Sequence, residues 1–149
     1  MKKGGDFIMQ LLIFLNNCSE FKVLTILVIL DSIFGALRAI REKQFNSNIG
    51  IDGLIRKFGM MISVIFFISI DIIENINLIG FIPEELRKAV NIEYFGISSM
   101  FLWLFIIYES LSILKNMIKC KLPIPKKFQN YLEKIFKTYT SELEEGDKK

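Results

Sequence analysis

Three acids stand where acids are costly. Asp31, Asp71 and Glu109 each fall within a strongly apolar run, and a carboxylate at membrane depth must be protonated, paired or wetted. Their surroundings offer little reaction chemistry. His is absent from the 149 residues, which removes the usual near-neutral general base and the commonest metal ligand. Two cysteines, Cys18 and Cys120, cannot make a disulfide framework or a four-ligand zinc site. The chain shows no nucleophile–base pair, phosphate-binding loop or metal cluster. Asp71 and Glu74 make an i, i+3 carboxylate pair on a helix, a poor candidate for an ion site. These residues point away from catalysis, cofactors, metals and nucleic acid. They point towards carboxylates held inside a membrane.

The elements that must position them are legible in the hydropathy. Hydrophobic residues make up 52% of the chain and charged residues 23%, with a mean hydropathy of +0.40. Three windows of 20 residues, 21–40, 54–73 and 95–114, concentrate the apolar side chains. That length lets a helix cross a hydrocarbon core of roughly 30 Å. A soluble helical bundle is the competing reading, but its helices should carry a polar face every turn. Residues 58–70 offer only Ser63 and Ser69, and 102–108 only the Tyr108 hydroxyl. Pro83, Pro123 and Pro125 lie outside all three windows, as helix boundaries require.

Charge sets an expected orientation. The first connection carries Arg38, Arg41, Lys43, Arg56 and Lys57, the second is rich in acids, and nine lysines follow the third window. The positive-inside rule places the first connection and the C-terminus in the cytoplasm. Lys2 and Lys3 oppose this mildly, since they must cross. Cys18 and Cys120 then lie on opposite faces, so no intrachain disulfide is expected. The sequence therefore predicts an all-α membrane protein of three transmembrane helices, N-out and C-in. It divides into an interfacial segment (1–20), a three-span membrane domain (21–118) and a basic cytoplasmic tail (119–149).

The ends are read from finer patterns. The apolar run 7–15 is too short to span, and Asn17 or Ser19 is expected to cap the first span. In the first connection, Asn46, Ser47, Asn48, Gly50 and Gly53 are expected to break helicity. Pro83 followed by Glu84 and Glu85 should start a short helix. In the tail, Phe128, Tyr131, Leu132, Ile135, Phe136 and Tyr139 recur at i, i+3, i+4, i+7, i+8 and i+11, the spacing of an amphipathic helix. With Lys126 and Lys127 beside it, this helix suits an anionic inner leaflet or self-association.

Within the spans, Asp31, Gly35 and Ala39 share one helical face. Gly35 and Ala39 form a small-xxx-small pair that allows close helix approach, so this face is the expected oligomerisation surface. Asp31, Ser63, Ser69, Glu109 and Ser112 are the polar positions that could line an aqueous lesion after assembly. For Asp31 and Glu109 an intramolecular network within a three-helix bundle is the open alternative. Arg38, Arg41, Arg56 and Lys57 are expected to act as cytoplasmic anchors, with Lys126 and Lys127, by snorkelling to the interface.

Several short blocks, in order, carry a resemblance: Asp31-Ser-Ile-Phe-Gly35, Ala39-Ile40-Arg41, Phe45-Asn-Ser47, Gly50-Ile-Asp-Gly53 and Arg56-Lys57. The chain resembles the toxin-secretion/phage-lysis holin family. Tyr108-Glu109-Ser110, Leu114-Lys115-Asn116 and Leu122-Pro-Ile-Pro125-Lys126 are similar to the branch encoded in large clostridial toxin loci. The resemblance covers roughly residues 22–127. It implies an oligomerising, non-enzymatic, multi-pass protein of the bacterial cytoplasmic membrane, its partners being itself and the lipid bilayer, that opens lesions for an exported toxin or endolysin. It also implies that Met9 could be a second start, giving a long-form and short-form antiholin pair. A non-permeabilising accessory or antiholin-like regulator is the alternative. A small transporter would call for an internal repeat, which three spans do not show.

Overall fold

The computed structural model describes residues 2–43, 47–92, 94–132 and 134–135. Its elements are α1 (Lys2–Asn17), α2 (Ser19–Arg41), α3 (Ser47–Glu74), α4 (Glu84–Ala89) and α5 (Ile97–Lys119). No strand occurs among the described residues. Ser19–Arg41, Gly50–Glu74 and Ile97–Lys119 are each long and apolar enough to cross a membrane. At 23, 25 and 23 residues they reach roughly 35 Å at 1.5 Å per residue.

Two helix starts differ from the sequence expectation. Cys18, rather than Asn17 or Ser19, takes the cap position of α2, and no side chain caps the helix there. The chain is nearly continuous at this point. The Cys18 N–H still bonds the Phe14 carbonyl of α1 at 2.8 Å, while the Cys18 carbonyl accepts from Lys22. The backbone thus satisfies what a cap would have served. In the first connection, α3 begins at Ser47 and runs through Asn48, Gly50 and Gly53. A glycine weakens a helix interior by only about 1 kcal/mol relative to alanine, and the long apolar segment that follows outweighs it. Pro83 does start the short α4.

α5 is the middle of the bundle. It packs against α2 most extensively and against α3 next, whereas α2 and α3 scarcely touch each other. α2 and α5 run in the same direction and α3 against them. Leu24, Val64, Ile68 and Leu102 form the dry core. A Phe67–Phe101 stack, with centroids 3.9 Å apart and planes at 7°, joins α3 to α5 beside it. α1 rests on this core through Leu11, Phe14 and Leu15, leaving Ile8, Met9, Leu12 and Ile13 exposed. Most of the outer surface of the spans is apolar, as lipid contact requires.

Candidate functional site: a polar seam inside the bundle

The buried positions recur at helical spacing, and their polar members lie on the same faces as the core residues. On α2 they are Leu24 and Asp31, and on α5 Ser98, Leu102, Glu109, Ile113 and Asn116. On the α3 face, Val64, Ile68 and Asp71 are buried, and Lys57 lies two turns before Val64. Packing the three apolar stripes together therefore also packs the polar groups together.

The result is one connected seam. Lys57 Nζ lies 2.7 Å from Asp31 Oδ2 and 2.7 Å from Glu109 Oε2. Asn116 Nδ2 donates to Asp31 Oδ1 at 2.8 Å. Arg38 Nη1 donates to Asn116 Oδ1 at 3.1 Å. Asn116 is thus oriented from both sides. The seam joins all three spans, and its two acids are 7% and 1% exposed. At that burial an unpaired charge would cost several kcal/mol, and the ammonium between the carboxylates offsets this. Glu42 Oε2, at 3.7 Å from Arg38 Nε, ends the seam at the α2 terminus.

Both ends of α5 are held by side chains from the other spans. At its start, Asp71 of α3 accepts from the Ile97 N–H (3.1 Å), the Ser98 N–H (2.8 Å) and the Ser98 hydroxyl (2.6 Å). A carboxylate there satisfies orphan amides and complements the positive end of the helix dipole. Gly96 lets this happen, since a Cβ at that position would run into the Asp71 carboxylate. Asn77 Oδ1 accepts from the N–H groups of Phe95 and Ile79, tying the connecting loop to the same point. At the other end, Arg41 of α2 donates to the Cys120 carbonyl just past α5, a cation at the negative end of the dipole.

Several sequence expectations change here. Lys57, expected as a snorkelling anchor, turns inward with its side chain 14% exposed. Two carboxylates in a low-dielectric interior attract it more strongly than the interface does. Arg38 likewise turns to Asn116 rather than outward. Gly35 faces α5 within the chain. A Cβ there would sit 3.9 Å from Asn116 Nδ2, so this part of the expected oligomerisation face is occupied internally. Ala39 is half-buried. Ser63 and Ser69 bond the carbonyls of Gly59 and Ile65 on their own helix, and Ser112 is half-buried one turn from Glu109. Arg41, Arg56, Lys126 and Lys127 are exposed. In the tail, residues 126–132 and 134–135 are helical. Phe128 and Tyr131 are exposed, whereas Leu132 is 3% exposed and Ile135 half-buried. Phe136 and Tyr139 lie outside the described residues.

A profile of the bacteriophage holin family matches residues 9–137. The chain belongs to the bacteriophage holin family. It is also 36% identical over 136 residues to the Holin-like protein TcdE of Clostridioides difficile, covering 91% of this chain and 82% of that protein. No solved structure matches it. This holin-family chain is a multi-pass protein of the cytoplasmic membrane, and holins are not enzymes. Its seam is therefore understood as membrane physics, not as an active site. Among the described residues no group of three or more His, Cys, Asp or Glu could hold a metal ion.

Asn116 carries no expected role in the sequence, Lys57 carries that of an anchor, and Asp71 is weighed there only as an ion site. Their signal was present as spacing. Lys57, Val64, Ile68 and Asp71 follow one another at seven, four and three residues, and Glu109, Ile113 and Asn116 at four and three. Adjacent Arg56 and Lys57 looked alike as charges, yet one helical step of about 100° sends only one of them into the bundle.

Proposed function

We propose that the protein oligomerises in the cytoplasmic membrane and opens lesions wide enough for a folded protein, an exported toxin or an endolysin. The seam is the observation that carries this reading. A chain with an apolar outer surface keeps two acids, a lysine, an arginine and an asparagine on the inner faces of its three spans. Within a single bundle these groups pair with one another. Separation of the helices during assembly would turn the same side chains towards water and supply a polar lining. Family membership and the likeness to a protein named holin-like support the reading.

Controlled expression in a bacterium tests it, with dye leakage and release of a folded cytoplasmic reporter as readouts. Reporter release supports the lesion. Leak of small ions alone points to a channel, and no leak to an accessory or antiholin-like regulator. Asp31→Ala and Glu109→Ala should alter leakage or oligomer size; if neither changes, these acids have no part in the lesion.

The proposed orientation is N-out and C-in, with the 119–149 tail on the cytoplasmic leaflet and residues 1–20 at the opposite interface. Cys18 reports on it by labelling with an impermeant maleimide. Burial, assisted by Glu20, pushes its thiol up, so the labelling needs alkaline conditions. Reaction of Cys18 from the cytoplasmic side alone would refute the orientation. Met9 lies within α1, and a chain starting there would lack Lys2, Lys3 and Asp6. Met1-start and Met9-start proteins should differ in lysis timing, the long form being slower.

A further inference from the structure

If copies of this chain associate, they need a face that the monomer leaves open. α5 covers Gly35 and the Asp31 carboxylate from within. α3 retains such a face. Asp52, Arg56, Gly59, Ser63 and Phe66 succeed one another at four, three, four and three residues, the 3.5-residue period of a seam between two helices wound left-handed. Asp52, Arg56 and Gly59 are exposed, Ser63 is half-buried and Phe66 is 61% exposed. A Cβ at Gly59 would meet nothing within 4 Å. The Ser63 hydroxyl is turned back onto the Gly59 carbonyl, which leaves a low, smooth surface there.

The charges on this face identify the partner. Arg56 bonds the Asp52 carbonyl weakly at 3.4 Å, and among the described residues no carboxylate forms an ion pair with it. Arg56 stands six residues after Gly50, near the start of the span, where a cation calls for a partner or for water. A lipid phosphate is a poor one, because the Asp52 carboxylate stands one turn away on the same face and repels it. A second copy of the same face fits both charges. Copies insert in one orientation, so their α3 helices run parallel with equal residues at equal depth. Side chains lean towards the helix N-terminus, which carries the long Arg56 side chain back to the level of Asp52 on the facing helix.

We propose that α3 pairs with α3 of a second copy through Asp52, Arg56, Gly59, Ser63 and Phe66, about a two-fold axis along the membrane normal. Gly59 marks the closest approach, as in small-residue helix contacts generally. Two reciprocal Asp52–Arg56 ion pairs close the end of the seam. The pairing specifies the partner surface of the oligomerisation proposed above and rests on that reading.

The test is disulfide trapping in membranes, with the full chain carrying Cys18→Ser and Cys120→Ser. Ser63→Cys should form dimers on oxidation, and Ile29→Cys, on the exposed face of α2, should not. Asp52→Arg and Arg56→Asp should each lower trapping at position 63 by about fivefold or more, and the double swap D52R/R56D should restore it. Gly59→Leu should also abolish trapping, with helicity unchanged because the monomer has room for the side chain. Equal trapping at positions 29 and 63, or no rescue by the double swap, would overturn the pairing. Trapping that follows the anionic lipid content and ignores Asp52→Arg would assign Arg56 to a phosphate instead. Reporter release measured on the wild-type chain separates the two proposals. Release without trapping at Ser63→Cys overturns the seam alone, and trapping without release overturns the lesion and keeps the seam.

Discussion

At the Asp71 end of the bundle, one carboxylate accepts three hydrogen bonds from the first turn of α5, and the dry core of Val64 and Ile68 begins one turn away. At the Lys57 end, one ammonium bridges two carboxylates, and little else holds α3. Of residues 50–58, Gly53 and Lys57 alone are even half-buried. An open cleft of about 480 Å³ between α2 and α3, lined by Val28, Ser32, Leu54, Ile55, Lys57, Phe58 and Met61, sits beside them. One end of the same helix is fixed by many short-range contacts, the other by charge. Short-range packing fails gradually when a group is removed. A charge bridge fails at once, because removing the cation leaves two buried anions facing each other.

The largest expected effect breaks the second end. Lys57→Met should destabilise the bundle by about 3–5 kcal/mol, read as unfolding of the purified protein in mixed micelles. Adding Asp31→Asn and Glu109→Gln should recover most of that loss, since the repulsion disappears with the charges. Ile68→Ala tests the first end through its core and should cost about 2–4 kcal/mol. Asp71→Ala should cost less, about 1–2 kcal/mol, the range for a lost helix cap. If Asp71→Ala proves costlier than Lys57→Met, the contrast between the ends is inverted.

The smallest effect is spectroscopic. Tyr94 lies in the loop before α5, and burial, followed by repulsion from the Asp71 carboxylate, raises its phenol above the ordinary value. A raised phenol favours the protonated form in the fold. Its contribution to stability is therefore present below the ordinary phenol range and lost as pH rises through the raised value. With the other three tyrosines changed to Phe, the phenolate absorbance should titrate late. Asp71→Asn should shift it part of the way back, because burial remains.

The spans were legible because hydropathy over 20 residues is a coarse, additive signal. Asp31 and Glu109 were legible as anomalies against it. What joins them was not, because Lys57 sits near a window edge where a cation has an easy alternative at the interface. Asn116 lies beyond the window that ended at residue 114, and α5 runs on to Lys119. The start of α3 differs from its local pattern for a related reason: Gly50 and Gly53 favour a turn on their own, and the long helix behind them outweighs that preference. The role of Asp71 depends on a loop returning Gly96 to its side, a tertiary fact that spacing along one helix cannot contain.

The order in which the chain emerges gives the central place of α5 a further consequence. α2 and α3 enter the membrane first yet scarcely touch each other, and until the last span arrives Asp31 has neither Asn116 nor the neighbouring glutamate to complete its surroundings. The bundle can therefore assemble only after the ribosome has delivered the chain through α5. The chain is thus kept from its folded form until α5 has been made, and chains cut short before residue 97 should remain loosely associated hairpins open to quality-control proteolysis.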